Sequence, residues 1–310
     1  MIGLFTENTY NSQMAREKQQ QQAKNAFNDG AAKWQRKSAI KGVYSLIEHR
    51  NSIVLGELQK RPKRAKFLDI GCGTGQLVIE AGKNDYQAIG VDYAEEMIRH
   101  CNENRLVTGT QAEFQFGSIF DLPLEKRSFE VVSALGFIEY LPQVQLEKFF
   151  LRVTDLISEK GLFLVGTRNR LFNITALNRF SEIEIELGNF ENLTQQAIAF
   201  QDVSPTGNLE FLDQFGRIEP QPETHPETGG IRVDTRYQYS PGEICHRLKR
   251  AGYVVERIYP VHYHPFPPAC KSDHLEEHAR VAAYAQQRAP RDLRLVPWCS
   301  SMIISAYRKT

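Results

Sequence analysis

Three glycines and two carboxylates are the residues of this chain best spaced to do chemistry. The apolar run Phe67-Leu68-Asp69-Ile70 contains one acid and stops at Gly71-Cys72-Gly73-Thr74-Gly75. Such a run reads as a buried strand. The glycines after it read as a tight turn into a helix carrying Leu77, Val78 and Ile79. Gly71 and Gly73 remove side chains that would hold a ligand off the backbone, at the kind of strand-to-helix turn where open α/β sheets bind nucleotide-like ligands. A second apolar run, Ala88-Ile89-Gly90-Val91, closes in Asp92. Asp92 follows Gly71 by about 20 residues, the interval at which a carboxylate meets a ribose diol. The pattern therefore points to a cofactor of adenosine type.

The glycine spacing divides such cofactors. Dinucleotide folds use G-x-G-x-x-G with a helix N-terminus facing a pyrophosphate. Here it is G-x-G-x-G with Asp69 just before it, and a negative charge at the turn suits a ligand with a cationic end.

A second group of reactive side chains lies far downstream, in Val261-His262-Tyr263-His264-Pro265. Two histidines two apart face the same way in a strand. Either titrates near neutrality and can take a proton from a hydroxyl; the alternatives are a structural role or a metal, for which no carboxylate lies nearby in sequence. Glu139 and Tyr140 follow another apolar run. Tyr140 reads as a pocket wall or catalytic candidate, and Glu139 as a helix cap. Asn169, Arg170, Asn173 and Asn178 fall along one expected helix, as acceptor-binding or solvent-facing positions, and Trp34 and Trp298 read as core or pocket wall. Cys72 reads as a small filler of the glycine turn rather than a catalytic thiol.

The elements that must position these residues alternate. Strands are expected at 66–70, 87–91, 113–116, 129–134 and 161–166, with helices near 75–83, 94–104 and 143–158; this is the pattern of βαβ units in a parallel sheet. Two or three helices between 27 and 58 lead in, after a polar stretch with Gln19-Gln20-Gln21-Gln22 that reads as a frayed helix or tail. Beyond 168 comes an insertion to 239 with a helix near 172–187 and a Pro/Gly-rich segment. Ser240-Pro241 then opens a helix as N-cap and first residue. Strands at 253–259 and 300–307 follow, separated by a second insertion at 260–298. Both insertions leave the carboxyl ends of strands, so they are expected to build the acceptor pocket.

The 310 residues carry 38 Lys+Arg against 37 Asp+Glu, a net charge of +1. Nucleic acid as acceptor gets little electrostatic support from that, and no Asn/Asp-Pro-Pro-Tyr/Phe or Pro-Cys motif occurs. The basic cluster Lys60 to Lys66 reads as a solvated loop. The five cysteines are scattered and lack a C-x-x-C pair, which argues for a reducing compartment and against zinc or disulfides. Apolar runs are too short to span a bilayer, and no signal peptide is seen. The expectation is a cytoplasmic protein without membrane or metal, monomeric or homodimeric.

Residues 67–75 resemble the first motif of the class I S-adenosylmethionine-dependent methyltransferases, hh(D/E)hGxGxG with h apolar. Asp92, followed by Tyr93-Ala94-Glu95-Glu96-Met97, resembles the second motif. Gly117-Ser118-Ile119 resembles the third, Ser128 to Gly136 the fourth and Leu156 to Val165 the fifth. The resemblance is strong over residues 64–166 and loose over 240–308. It implies a doubly wound, seven-stranded, mostly parallel α/β sheet (the Rossmann-like methyltransferase fold) with N-terminal helices and an inserted cap. The divisions would be 1–62, 63–167, 168–239 and 240–310. It also implies S-adenosyl-L-methionine as cofactor, held by Asp69, Gly71, Cys72, Gly73, Gly75, Asp92, Tyr93, Met97, Ser118, Ile119 and Leu135. Tyr44 and Arg50 of the leading helices would reach its carboxylate. The layout is similar to small-molecule methyltransferases of the ubiquinone-biosynthesis type. The expected activity is methylation of a small polar molecule, at oxygen before nitrogen, with His262, His264 and Tyr140 as the catalytic candidates. A non-catalytic partner subunit of the same fold is the alternative.

Overall fold

The computed structural model describes residues 2–39, 45–215, 218, 222–228 and 231–309. Two helices lead in, α1 (Ile2–Ser38) and α2 (Leu46–Leu58). The core then runs β1 (Lys66–Ile70), α3 (Gln76–Lys83), β2 (Gln87–Asp92), α4 (Glu95–Thr108), β3 (Glu113–Phe116), β4 (Phe129–Leu135), α5 (Gln143–Leu156) and β5 (Ile157–Arg168). Three helices follow, α6 (Phe172–Ala176), α7 (Arg179–Glu186) and α8 (Phe190–Asp202), and then a hairpin of β6 (Pro222–Thr228) and β7 (Ile231–Tyr237). The chain closes with α9 (Pro241–Arg250), β8 (Tyr253–Tyr263), α10 (Pro268–Lys271), α11 (Leu275–Arg288) and β9 (Cys299–Arg308).

Seven strands form one sheet in the order β3-β2-β1-β4-β5-β9-β8. All run parallel except β9, which is antiparallel to both neighbours. The chain direction reverses between β1 and β4, which makes that crevice the topological switch point. Strands covered on both faces become near-continuous apolar runs, and Val131, Val132, Phe163 and Leu164 are all fully buried. One face of the sheet is covered by α2, α3 and α4 through Leu58, Val78 and Cys101. The other is covered by α5, α8 and α9 through Phe149, Phe200 and Leu248.

Several expectations need amending. The N-terminal glutamines, read as a frayed helix or tail, lie in the 37-residue helix α1. Gln20 Nε2 donates to Gln145 Oε1 at 2.7 Å. The helix expected over 172–187 breaks at Leu177, whose φ is 49°. It restarts behind an Asn178–Ser181 capping box, because Asn178 offers an N-cap that competes with continuing the first helix. The Pro/Gly-rich segment carries β6, which pairs antiparallel with β7 directly after it as a hairpin. Strand β8 extends to Tyr263, so residues 260–263 are sheet, not insertion. The helix at Ser240-Pro241 starts as expected, with Ser240 Oγ accepting from the Glu243 N–H at 3.2 Å.

Candidate functional site

The carboxyl ends of the parallel strands and the start of β9 meet at one edge of the sheet. Arg168 at the end of β5 pairs with Ser301, and Ser301 pairs with Val261 near the end of β8. A cavity of about 590 Å³ opens along this edge, within the size range of small-molecule sites. Its cover is α1, through Phe27 and Trp34, together with Arg236 of β7.

At one end lies the glycine turn. Gly71 and Gly73 have φ of 70° and 55°, in the left-handed region. A Cβ on Gly71 would sit 2.8 Å from the Phe137 ring, and one on Gly73 would sit 2.8 Å from Trp34 Nε1. Both positions therefore need glycine for conformation and for space, and both line the cavity. Asp92 bridges the turn to the start of α4: its Oδ2 accepts from the Gly73 N–H and its Oδ1 from the Ala94 N–H, each at 2.9 Å. Burial pushes its pKa up to about 6 against those hydrogen bonds. A carboxylate has about four acceptor positions, and Asp92 itself lines the cavity. Tyr93, Met97, Ile119 and Leu135 supply the walls here, together with Ser118. The Ser118 hydroxyl accepts from the Phe120 N–H at 3.2 Å and so shapes its own turn.

Three residues of the same motif stand behind the cavity rather than in its wall. Asp69 is buried and accepts from Ser133 Oγ–H at 2.5 Å. Burial raises its pKa to about 7, with the Asp92 charge adding and the Ser133 bond opposing. Cys72 Sγ lies 3.9 Å from Cys101 Sγ, and burial pushes its thiol well up, which makes it inert. A Cβ on Gly75 would meet the Phe114 ring at 2.8 Å, so this glycine serves helix–strand packing. Tyr44 lies outside the described residues.

The other end gathers side chains from distant segments. His262 sits opposite Ser300 across the β8–β9 pair, and its Nδ1 lies 2.7 Å from Ser300 Oγ. His264 Nε2 lies 3.0 Å from the same oxygen and 3.2 Å from His262 Nδ1. The two rings meet edge to face, 4.5 Å between centroids. The φ of His262 is 63°, a conformation uncommon outside glycine and enriched in strained functional positions. Desolvation lowers both pKa values, that of His264 to about 3, with cations adding to the effect: Lys271 and Arg50 for His262, Lys271 and Arg168 for His264. Both rings are neutral at physiological pH. Among the described residues, no group of three or more His, Cys, Asp or Glu side chains is placed to hold a metal ion.

Arg50 is half-buried in this wall, and its Nη2 donates to Ser301 Oγ at 2.7 Å. Glu139 caps no helix: it is buried, and its Oε1 accepts from the Arg168 N–H at 2.8 Å, tying the turn after β4 to the end of β5. Tyr140 packs edge-on against Phe27, with centroids 5.0 Å apart. Burial and the Glu139 charge raise its pKa, so it remains a phenol; this suits a wall or donor and not a base. Asn169 donates to the Val296 and Cys299 carbonyls, and Arg170 and Asn173 both bind Glu184, so these polar residues chiefly hold the insertion together. Asn173 and Asn178 also reach the cavity. Trp298 is 44% exposed and outside the cavity lining. Sequence reading missed Arg168, Arg236 and Ser300 as cavity residues. A cation at the end of a core strand was a usable signal for Arg168; for Arg236 there was none.

Residues 67–161 match the family described as "Methyltransferase domain", and that segment is similar to the class I S-adenosylmethionine-dependent methyltransferases. The chain is 26% identical over 138 residues to a ubiquinone biosynthesis O-methyltransferase of Xanthomonas axonopodis pv. citri, covering 44% of this chain and 56% of that one. It is 30% identical over 115 residues to the protein of the same name from Azorhizobium caulinodans, covering 37% and 45%. The chain thus spans about half the length of these curated relatives. Its fold matches the crystal structure of magnesium protoporphyrin IX methyltransferase from Synechocystis PCC 6803, with a TM-score of 0.56 at 13% identity over 93% of this chain and 98% of that one. No helix among the described residues is long and apolar enough to cross a membrane.

Proposed function

We propose that the protein transfers a methyl group from S-adenosylmethionine to an oxygen of a small polar molecule. One observation carries this reading: a single cavity joins the glycine turn and Asp92 to the His262–Ser300–His264 cluster. The side-chain-free surfaces of Gly71 and Gly73 and the cavity-lining carboxylate of Asp92 fit a nucleoside, with Asp92 taking hydrogen bonds from its ribose hydroxyls. When bound, the cofactor supplies an electrophilic methyl group on a sulfonium. The chain's own residues do the rest. The cover of Phe27, Trp34 and Tyr140 keeps water out, and the cavity aligns the acceptor. Positioning of this kind is worth roughly 7–11 kcal/mol of barrier. The proton leaving a hydroxyl acceptor passes to the neutral imidazole of His262 or His264, with Ser300 Oγ able to accept from one ring and donate to the other; base catalysis of this kind contributes about 10²–10⁴-fold. The names of the O-methyltransferase relatives support oxygen as the accepting atom.

The test is incubation with methyl-labelled S-adenosylmethionine and a fractionated small-molecule extract. The expected result is label in a small-molecule product and S-adenosylhomocysteine in equal amount. Tight cofactor binding with label in no product would overturn the reading in favour of a non-catalytic binder.

A further inference from the structure

Arg50 stands where the two ends of the cavity meet. It comes from α2 and lines the cavity. Its guanidinium lies against Gly136, the first residue beyond β4, just as Gly71 is the first beyond the neighbouring β1. Two residues hold it there. Ser301 is 2% exposed, and its hydroxyl donates to the Thr167 carbonyl at 2.9 Å. With that proton committed, the oxygen is turned to accept, and Arg50 Nη2 donates to it at 2.7 Å. Gly136 supplies the room: its φ is 69°, and a Cβ on it would sit 2.7 Å from Arg50 Nη1. Among the described residues Ser301 is the one hydrogen-bond partner of Arg50, and the buried Nε has none. Glu139 acts on the cation from beyond hydrogen-bond reach. A guanidinium is a planar fork of five N–H donors matched to carboxylate oxygens. Most of this fork has no acceptor within the protein, which is unfavourable in a desolvated place unless a ligand supplies one.

The strand order decides which part of the cofactor reaches this arginine. Asp92 closes β2, and Tyr93, Met97, Ser118 and Ile119 wall the β2–β3 side. With its ribose on Asp92 and its base on that side, an S-adenosyl compound sends its amino-acid end across Gly71 toward β4 and Arg50. We infer that Ser301 and Gly136 are positioning residues for cofactor binding: they aim the open edge of the Arg50 guanidinium at the carboxylate of that amino-acid end. This rests on the methyl-transfer reading above and deepens its cofactor site, whatever the acceptor. It also gives the start of β9 two tasks. Ser300 joins the two imidazoles, and Ser301, next in the strand, seats the arginine.

The test is calorimetric titration of the full chain, without acceptor, with S-adenosylhomocysteine and with its decarboxylated analogue, which keeps the amine and lacks only the carboxylate. The parent should bind S-adenosylhomocysteine about 10- to 100-fold more tightly than the analogue, the ratio that a charge-assisted hydrogen bond supplies. Ser301→Ala and Gly136→Ala should each cut that ratio about threefold to tenfold, as loss of one hydrogen bond or of its geometry does, and leave affinity for the analogue within about twofold. Arg50→Gln should bring the two affinities together. A merely structural role for Ser301 or Gly136 would weaken both ligands alike and leave the ratio where it was. Equal affinities in the parent, or an unchanged ratio in either folded variant, would overturn the inference. The methyl-transfer reading survives that failure if label still passes from S-adenosylmethionine to a product, whereas a parent that does not bind S-adenosylhomocysteine sinks both. The two substitutions lie in different segments, so either one that folds completes the test, and the parent comparison needs neither.

Discussion

At the Gly71–Asp92 end of the cavity, the ligand-facing groups come largely from one stretch of core, and much of the surface offered is backbone. At the His262 end they come from α2, the turn after β4, the end of β5, the β6–β7 hairpin, the end of β8 and the start of β9. Burial acts on both ends with opposite sign. It lifts Asp69 and Asp92 toward neutrality and depresses His262 and His264 toward neutrality. The first end is a fixed socket whose shape follows from local chain geometry. The second is an electrostatic assembly that exists only when distant segments are packed together. Substitutions should therefore separate cofactor binding from turnover.

The largest effect expected is on turnover. Replacing both His262 and His264 with alanine should lower kcat by about 10²–10⁴-fold and leave S-adenosylhomocysteine affinity within about twofold. A comparable loss of cofactor affinity would erase the distinction between the ends. Gly71→Val tests the converse. It puts a β-branched residue at a φ of 70° with its Cβ 2.8 Å from the Phe137 ring. Backbone strain of about 1–3 kcal/mol adds to the filled socket, so calorimetry should show cofactor binding weakened by roughly 100-fold or more.

The pH behaviour sharpens the contrast with smaller effects. For His264 the pKa falls from an ordinary 6.5 to about 3 on folding. Its stabilising contribution is complete above pH 6.5 and is lost as pH falls toward 3. For Asp69 the pKa rises from 3.8 to about 7, so its contribution is complete below pH 3.8 and is lost as pH rises through 7. Thermal melts of Asp69→Asn should match the parent near pH 4 and exceed it by a few degrees at pH 8. Melts of His264→Asn should lose less stability than the parent between pH 6.5 and 4. Parallel curves for parent and variants would show that these groups are not desolvated as described.

The contrast also explains what could be read from the sequence. The glycine turn, Asp92 and the positions of the core strands were legible because each depends on local spacing: an apolar run, a glycine pattern, an acid at the next strand's end. The N-cap at Ser240 was legible for the same reason. The two histidines were noticed as types but not as a cluster, since Ser300 joins them across a strand pairing 38 positions away in sequence. Arg236 carries no local signature, lying in the second strand of a hairpin whose first strand was hidden among prolines and glycines. Asn169, Arg170 and Asn173 read as acceptor-binding or solvent-facing positions; all three are buried, and the break at Leu177 folds α7 back so that Glu184 takes up Arg170 and Asn173. Asp69, Cys72 and Gly75 belong to the motif but support the socket from behind.

The account depends most on Asp92 as the ligand-facing carboxylate of that socket. Calorimetric titration of S-adenosylhomocysteine into the parent and into Asp92→Ala measures this directly. One site per chain is expected in the parent, weakened roughly 10- to 100-fold in the variant, as loss of a charge-assisted hydrogen bond of about 1.5–3 kcal/mol requires. No binding to the parent, or equal affinity in a folded variant, would contradict it.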